Sequence, residues 1–339
     1  MMLTRFHKIL IGLLAVQLAL AVVMLTRSDD TGARKAQPLL AGFDAAKVTK
    51  VEVVAKADGK PIDLARQGTS WVVASSFDYP VRDTKVNDLL ASLAKAAADA
   101  PIATQASRHK QLHVDDGEFE RKLVLTLDGK PLTIYIGTSA GARRTAVRLG
   151  GDARVYAVSG LDAWSIGDKP RDWVDTRYLE VKKDDIQKLT IDHDGSSLEL
   201  ERDGDHWKAA LAGKPIELAK GETLDTAAID RIVDAAAAID LSSPADPKRD
   251  ASKPTATLTI TRKAAASTPA PVIVDLIADG SSYWVHDRAS PRAVLADKSR
   301  LDDVVGAARD KLVKKPEPAA APAKPQAAKQ PSAPKAHAG

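Results

Sequence analysis

An α+β fold is predicted: one N-terminal transmembrane helix, then two similar domains of antiparallel sheet, each packed on one or two helices. Three observations predict it. The phrase LARQGTSWVV at 64–73 returns as LERDGDHWKA at 200–209, so Leu64, Arg66, Gly68 and Trp71 become Leu200, Arg202, Gly204 and Trp207 without a gap. Around each copy the alternating and helical segments follow the same order, and the chain opens on a long apolar run. A length of 339 residues leaves room for two ordinary domains.

The apolar run IGLLAVQLALAVVML, extended by Ile9 and Leu10, spans a hydrocarbon core if helical and is broken only by Gln17. The one small-x-small site, Ala19-Leu20-Ala21, lies inside the run, which favours an uncleaved anchor over 9–26 rather than a signal peptide. Arg5 and Lys8 precede it without an acid, whereas Asp29 and Asp30 follow Arg27 at once. The positive-inside bias therefore places residues 1–8 in the cytoplasm and everything beyond the linker 27–42 in the periplasm of a single-pass bacterial inner-membrane protein.

The first domain, 43–180, begins with three short strands in VTKVEVVA, PIDLARQ and WVVAS. Asp83 or Thr84 caps a helix that carries Val86, Leu89, Leu90, Leu93 and Ala97 on one stripe and ends by Pro101. Strands KLVLTLDG, LTIYIG, RTAVRLGG and VYAVS follow, and LDAWSI reads as a closing helix. The second domain, 181–312, repeats this order with IQKLTIDH and SLELERDGDHWKAA. Asp225-Thr226 then caps a helix bearing Ile229, Ile232, Val233 and Ala236. Strands ATLTITR, PVIVDLIAD, SYWVHD and AVLA and the helical KSRLDDVVGAARDKL complete it. A period near 136 residues indicates tandem domains rather than a solenoid. The repeated phrase is scaffold in this reading: strand, turn, and a tryptophan that closes the sheet onto its helix. An exposed stacking platform is the alternative for Trp71 and Trp207, and an anion site the alternative for Arg66 and Arg202.

The turn-plus-tryptophan phrase, the Asp83-Thr84 helix, RTAVRLGGDARVYAVS after Gly137 and the joint KPRDWVDTRYLEV at 169–181 resemble a bacterial family, domain of unknown function forty-three forty. The resemblance covers about 43 to 312. It implies a companion of ABC-type export systems of the gliding-motility kind and names no catalytic residue. The second copy departs from it in lacking the arginines found at 143, 144 and 148.

Composition narrows the chemistry. With 44% hydrophobic and 28% charged residues the chain is a folded globular protein, and with no cysteine it has no disulfide, thiolate metal site or cysteine nucleophile. The net charge of +4 is that of the segment from Lys314, which holds five lysines and one glutamate; the body is neutral and shows no nucleic-acid signature. Residues 313–339 are Pro, Ala and Lys with no apolar face, an extended tail that reads as solubilising or as a cationic tether to the envelope.

Gly137-Thr138-Ser139-Ala140-Gly141 matches the G-x-S-x-G elbow of serine hydrolases, but that elbow needs a helix after the serine and ARRTAVRLGG alternates like a strand. His109 and His113 have a zinc-like spacing without the metalloprotease glutamate, and Asp192, Asp194, Asp203 and Asp205 read as hairpin turns rather than calcium loops. No cofactor, metal or small-molecule substrate is expected. The expected function is a non-enzymatic accessory subunit whose partner is an inner-membrane permease or another envelope protein. A hydrolase acting through Ser139 and an envelope-binding module using the tail are the alternatives.

Overall fold

The computed structural model describes residues 36–55, 59–141, 143–264 and 269–315, together with 14, 16–19 and 22. Most of the span expected over 9–26, and the tail from 316 onward, lie outside the described residues. Among the described residues no helix is long and apolar enough to cross a membrane. The chain divides into two units: Met1–Tyr178 with Leu241–Arg249 and Arg292–Leu295, and Leu179–Asp240 with Asp250–Pro291 and Ala296–Gly339. Most of the described structure is antiparallel sheet with few helices, and two large sheets dominate, of eight and nine strands.

In the first unit, β1 (Val48–Val54), β2 (Ile62–Gln67), β3 (Ser70–Val73) and β4 (Tyr79–Pro80) precede α1 (Asp83–Lys95). After the helix come β5 (Arg121–Leu127), β6 (Lys130–Ser139), β7 (Arg144–Leu149) and β8 (Val155–Ser159). The spatial order is β8-β7-β6-β5-β1-β2-β3-β4. Val51, Val53, Leu64, Leu123, Leu125, Ile134 and Ile136 project to one face, as the pairings Val51 to Leu64 and Leu125, and Leu123 to Ile134, require. The apolar stripe of α1, Val86, Leu89, Leu90 and Leu93, is buried as its spacing predicts.

In the second unit, β9 (Ile186–His193), β10 (Ser196–Asp203) and β11 (His206–Leu211) precede α2 (Thr226–Ala237). They are followed by β12 (Ala256–Arg262), β13 (Val272–Asp279) and β14 (Ser282–Asp287), then α3 (Lys298–Val305) and α4 (Arg309–Leu312), which pack on α2. Six consecutive strands of its sheet run β11-β10-β9-β12-β13-β14, the order β3-β2-β1-β5-β6-β7 of the first unit. Even an irregularity recurs: the register shifts between Val48 and Lys50 against β5, and between Ile186 and Lys188 against β12.

The repeated phrase has a geometric cause. Each copy is a hairpin with a two-residue loop, closed by Gln67 opposite Ser70 and by Asp203 opposite His206. The first loop residue is glycine with φ of +62° at Gly68 and +63° at Gly204, the left-handed backbone that a side chain resists and that matches the strands' twist. With the loop fixed, Arg66 lies opposite Trp71 and Arg202 opposite Trp207. Leu64 and Leu200 are fully buried, and Trp71 and Trp207 are 4% and 7% exposed. Both tryptophans are tied to their helices through a carboxylate: the Trp71 backbone N–H donates to Asp83 at 3.3 Å, and the Trp207 indole N–H to Asp230 at 3.4 Å. The Arg202 guanidinium stacks 4.7 Å from the Trp207 ring centre, whereas Arg66 reaches back to the Ala46 carbonyl at 2.8 Å.

Several expectations are corrected. Asp83 is the first residue of α1 and not its cap; Arg82 precedes the helix without a side-chain bond, because the Asp83 carboxylate is turned to Trp71. The helix stops at Lys95, and Ala97 lies in a two-residue strand. Asp225 does cap α2, accepting from the Ala228 N–H at 3.1 Å. LDAWSI is a single 3-10 turn at Ala163–Ser165. The tail is ordered at its start, where Val313–Lys314 pairs with Thr223–Leu224.

Truncating either tryptophan to alanine removes a nearly buried indole, so each of Trp71→Ala and Trp207→Ala should lower stability by about 3–5 kcal/mol in chemical denaturation. Gly204→Ala, which forces a methyl group into the left-handed turn, should cost about 1 kcal/mol or more in the same measurement.

Candidate functional site

The second face of the first sheet carries Val54, Tyr135, Arg148 and Val155, and the segment 103–119 closes over it with Ala103, Val114 and Phe119. Gly137 permits the close approach: a Cβ there would lie 2.0 Å from the Leu112 carbonyl oxygen. Arg148 is 4% exposed and locks the segment down. Its Nε donates to the Val114 carbonyl at 2.6 Å, its Nη1 to the Asp152 carbonyl at 3.4 Å, and its Nη2 to the Asp116 carboxylate, while the guanidinium lies 4.2 Å from the Tyr135 ring centre. The bond from Arg148 holds the Asp116 carboxyl below the usual carboxylate range. In the second unit the corresponding cross-strand pair is Asp275 and His286, with Asp275 bound by Thr257 and by both Nε and Nη2 of Arg288. The arginine at 148 is therefore a fastener peculiar to the first unit.

The residues that raised questions of chemistry separate accordingly. Ser139 ends β6, and β7 follows across a turn with Gly141 at φ +110°, so the elbow's strand-turn-helix is replaced by strand-turn-strand. Its hydroxyl donates to the Gly141 carbonyl at 3.4 Å. His113 faces Glu120 with Nδ1 at 2.8 Å and Glu118 with Nε2 at 3.8 Å, and His109 Nε2 meets the Ala153 carbonyl at 2.8 Å. Among the described residues no group of three or more metal-ligating side chains converges. Asp194 and Gly195, at φ +49° and +72°, form the hairpin turn between β9 and β10.

What the sequence did not single out is Trp164. It is 88% exposed, while Trp71, Trp173, Trp207 and Trp284 are 7% exposed or less. The loop that presents it is firmly held. Asp162 accepts from the Trp164 N–H at 3.1 Å, and Asp172 from the N–H groups of Asp168 and Lys169 at 3.2 and 3.0 Å. Arg121, at the start of β5, donates to the Ile166 carbonyl at 3.0 Å and pairs with Asp168 at 3.4 Å. Buried Trp173 anchors the end of the loop, its indole N–H 3.3 Å from the Gly167 carbonyl.

Trp164 stands as a ridge between two open depressions. One, of about 640 Å³, is lined by the outer face of α1 through Lys85, Asp88 and Ser92, with Arg121 and the loop opposite. The other, of about 590 Å³, is lined by Glu120, Thr138, Ser139, Arg143, Arg144 and the other side of the same loop. The tryptophan signal in LDAWSI was visible, but a helix there would have given the ring a buried face.

The fastener has a pH signature. Asp116 carries its charge at a lowered pKa in the folded state, so its contribution is present above the unfolded value near pH 4 and is lost as pH falls through the folded value. Arg148→Met should lower stability by about 1–3 kcal/mol at neutral pH. The gap to the unmodified protein should narrow below about pH 4 in acid titrations followed by circular dichroism. Gly167→Ala places a methyl group 2.5 Å from the Asp172 Cβ, so it should destabilise the loop and change acrylamide quenching of Trp164.

Comparison with curated proteins and with solved structures finds no match. The family profile of the domain of unknown function DUF4340 matches residues 71–259, more than half of the chain. The match begins at Trp71, inside the second strand of the first hairpin, and runs through α1, the Trp164 loop and the whole second hairpin into β12. On that match the chain belongs to the DUF4340 family.

Proposed function

We propose that the chain is a non-enzymatic accessory subunit of an ABC-type transport or gliding-like system. In this reading it is held at the outer face of the bacterial inner membrane by residues 9–26, and two copies of one α+β domain face the periplasm. The observation that carries a binding role is Trp164, an indole presented to solvent by a loop whose backbone is pinned at both ends. Exposing so large an apolar ring gains nothing for folding, and aromatic anchors on rigid supports are what recognition surfaces use.

The apolar run with Arg5 and Lys8 before it supports the anchor and its direction. Tethering raises the effective concentration between neighbours on one membrane face, so weak domain contacts suffice to hold an assembly. The neutral charge of the body suits a scaffold better than a nucleic-acid or polyanion binder.

Full-length protein extracted in mild detergent should co-purify with an integral permease, and a fragment starting at Gly32 should recover much less of it. Mature protein beginning near Val22, or full-length protein that runs alone after gentle extraction, would overturn the reading. A fluorophosphonate probe should leave Ser139 unlabelled, and covalent labelling there would contradict the non-enzymatic reading.

A further inference from the structure

We infer that the two depressions flanking Trp164 form one binding site for a neutral, hydroxyl-rich glycan chain, with the indole as the stacking platform between successive sugars. The inference deepens the reading of this loop as a recognition surface and rests on it.

The first support is shape. Both depressions are open rather than enclosed, and both are walled by Gly160, Leu161 and Trp164, so a chain lying in one crosses the indole to enter the other. An open path of this kind suits a polymer, whereas a small ligand is held by enclosure.

The second support is charge. The first depression sets Lys85 and Arg121 against Asp88, Asp168 and Asp172. The second sets Arg143 and Arg144 against Glu120 and Asp162. Cations and acids nearly balance along the whole path, so neither a polyanion nor a basic peptide finds the opposite field it needs. A chain of hydroxyls, each both donor and acceptor, can satisfy ammonium, guanidinium, carboxylate and Ser92 hydroxyl groups alike.

The third support is that the aliphatic side chains beside the indole are withdrawn from solvent. Leu89, Leu161, Ala163 and Ile166 line the depressions but are only 2–7% exposed. A protein interface would be expected to surround such an anchor with further apolar contacts that exclude water. A sugar needs only a flat ring for its C–H face, with polar groups at the edge for its hydroxyls. The loop is also already ordered by its own hydrogen bonds, so binding loses little backbone freedom.

The test uses the purified full-length protein in detergent, with chitohexaose, maltohexaose and laminarihexaose as neutral probes and dextran sulfate as a charged control. Because the other four tryptophans are buried, acrylamide quenching reads Trp164 selectively. At least one neutral oligosaccharide at millimolar concentration should protect Trp164 from quenching in a saturable way. Isothermal titration calorimetry should show binding about tenfold weaker or worse in Trp164→Ala, with Trp164→Phe in between. Asp88→Ala, on the outer face of α1, should weaken binding as well. Trp164 is exposed, so the melting transition of each Trp164 variant should match that of the unmodified protein and exclude a folding defect. Three results would overturn the inference: no neutral probe binds, dextran sulfate binds more tightly than all three, or Trp164→Ala binds as the unmodified protein does. None of them bears on co-purification with a permease, so the glycan assignment and the accessory-subunit reading fail separately.

Discussion

Each sheet depends on one local constraint, a two-residue turn whose first residue must adopt a left-handed backbone. Gly68 and Gly204 meet it, and register follows. With Gln67 opposite Ser70 and Asp203 opposite His206, each tryptophan falls on the core face across from an arginine. Slipping β3 by one residue against β2 would turn Trp71 and Val73 off the face that Leu64 occupies. The carboxylates of Asp83 and Asp230 then join hairpin to helix, so one turn couples strand register to helix position.

Around Tyr135 the first sheet is covered on both faces, which an alternating pattern alone does not suggest. Isoleucines 134 and 136 are buried on one side, and Tyr135 between them is buried on the other beneath the segment 103–119. That segment has little apolar content, so it is held largely by polar groups: the Arg148 bonds to Val114 and Asp116, the His109 bond to Ala153 and the tight approach at Gly137. An arginine in this place is effective because its fork reaches two carbonyls and a carboxylate at once while its plane lies against an aromatic ring. The glycines of the G-x-S-x-G pattern have the same origin, one required by close approach and the other by its turn.

The exposed indole of Trp164 is produced by the hydrogen bonds around it. The carboxylates of Asp162 and Asp172 take up backbone N–H groups in the way short turns require, and Arg121 fixes the carbonyl of Ile166. Trp173, nine residues later in the same loop, is buried. Two tryptophans in one loop thus have opposite roles, one holding the loop to the body and the other offered outward.

The sequence by itself determined the strand order along the chain, the two glycine turns, the buried stripes of α1 and α2 and the burial of Trp71 and Trp207. These are set by interactions between residues close in the chain, where period, turn chemistry and capping act directly. Tertiary structure alone decided which way Asp83 turns, that Arg148 is interior, that LDAWSI is a single turn and that Trp164 faces solvent. Those outcomes depend on groups far apart in sequence, such as Arg121 with Ile166 and Arg148 with Val114 and Asp116, and no local pattern encodes such meetings.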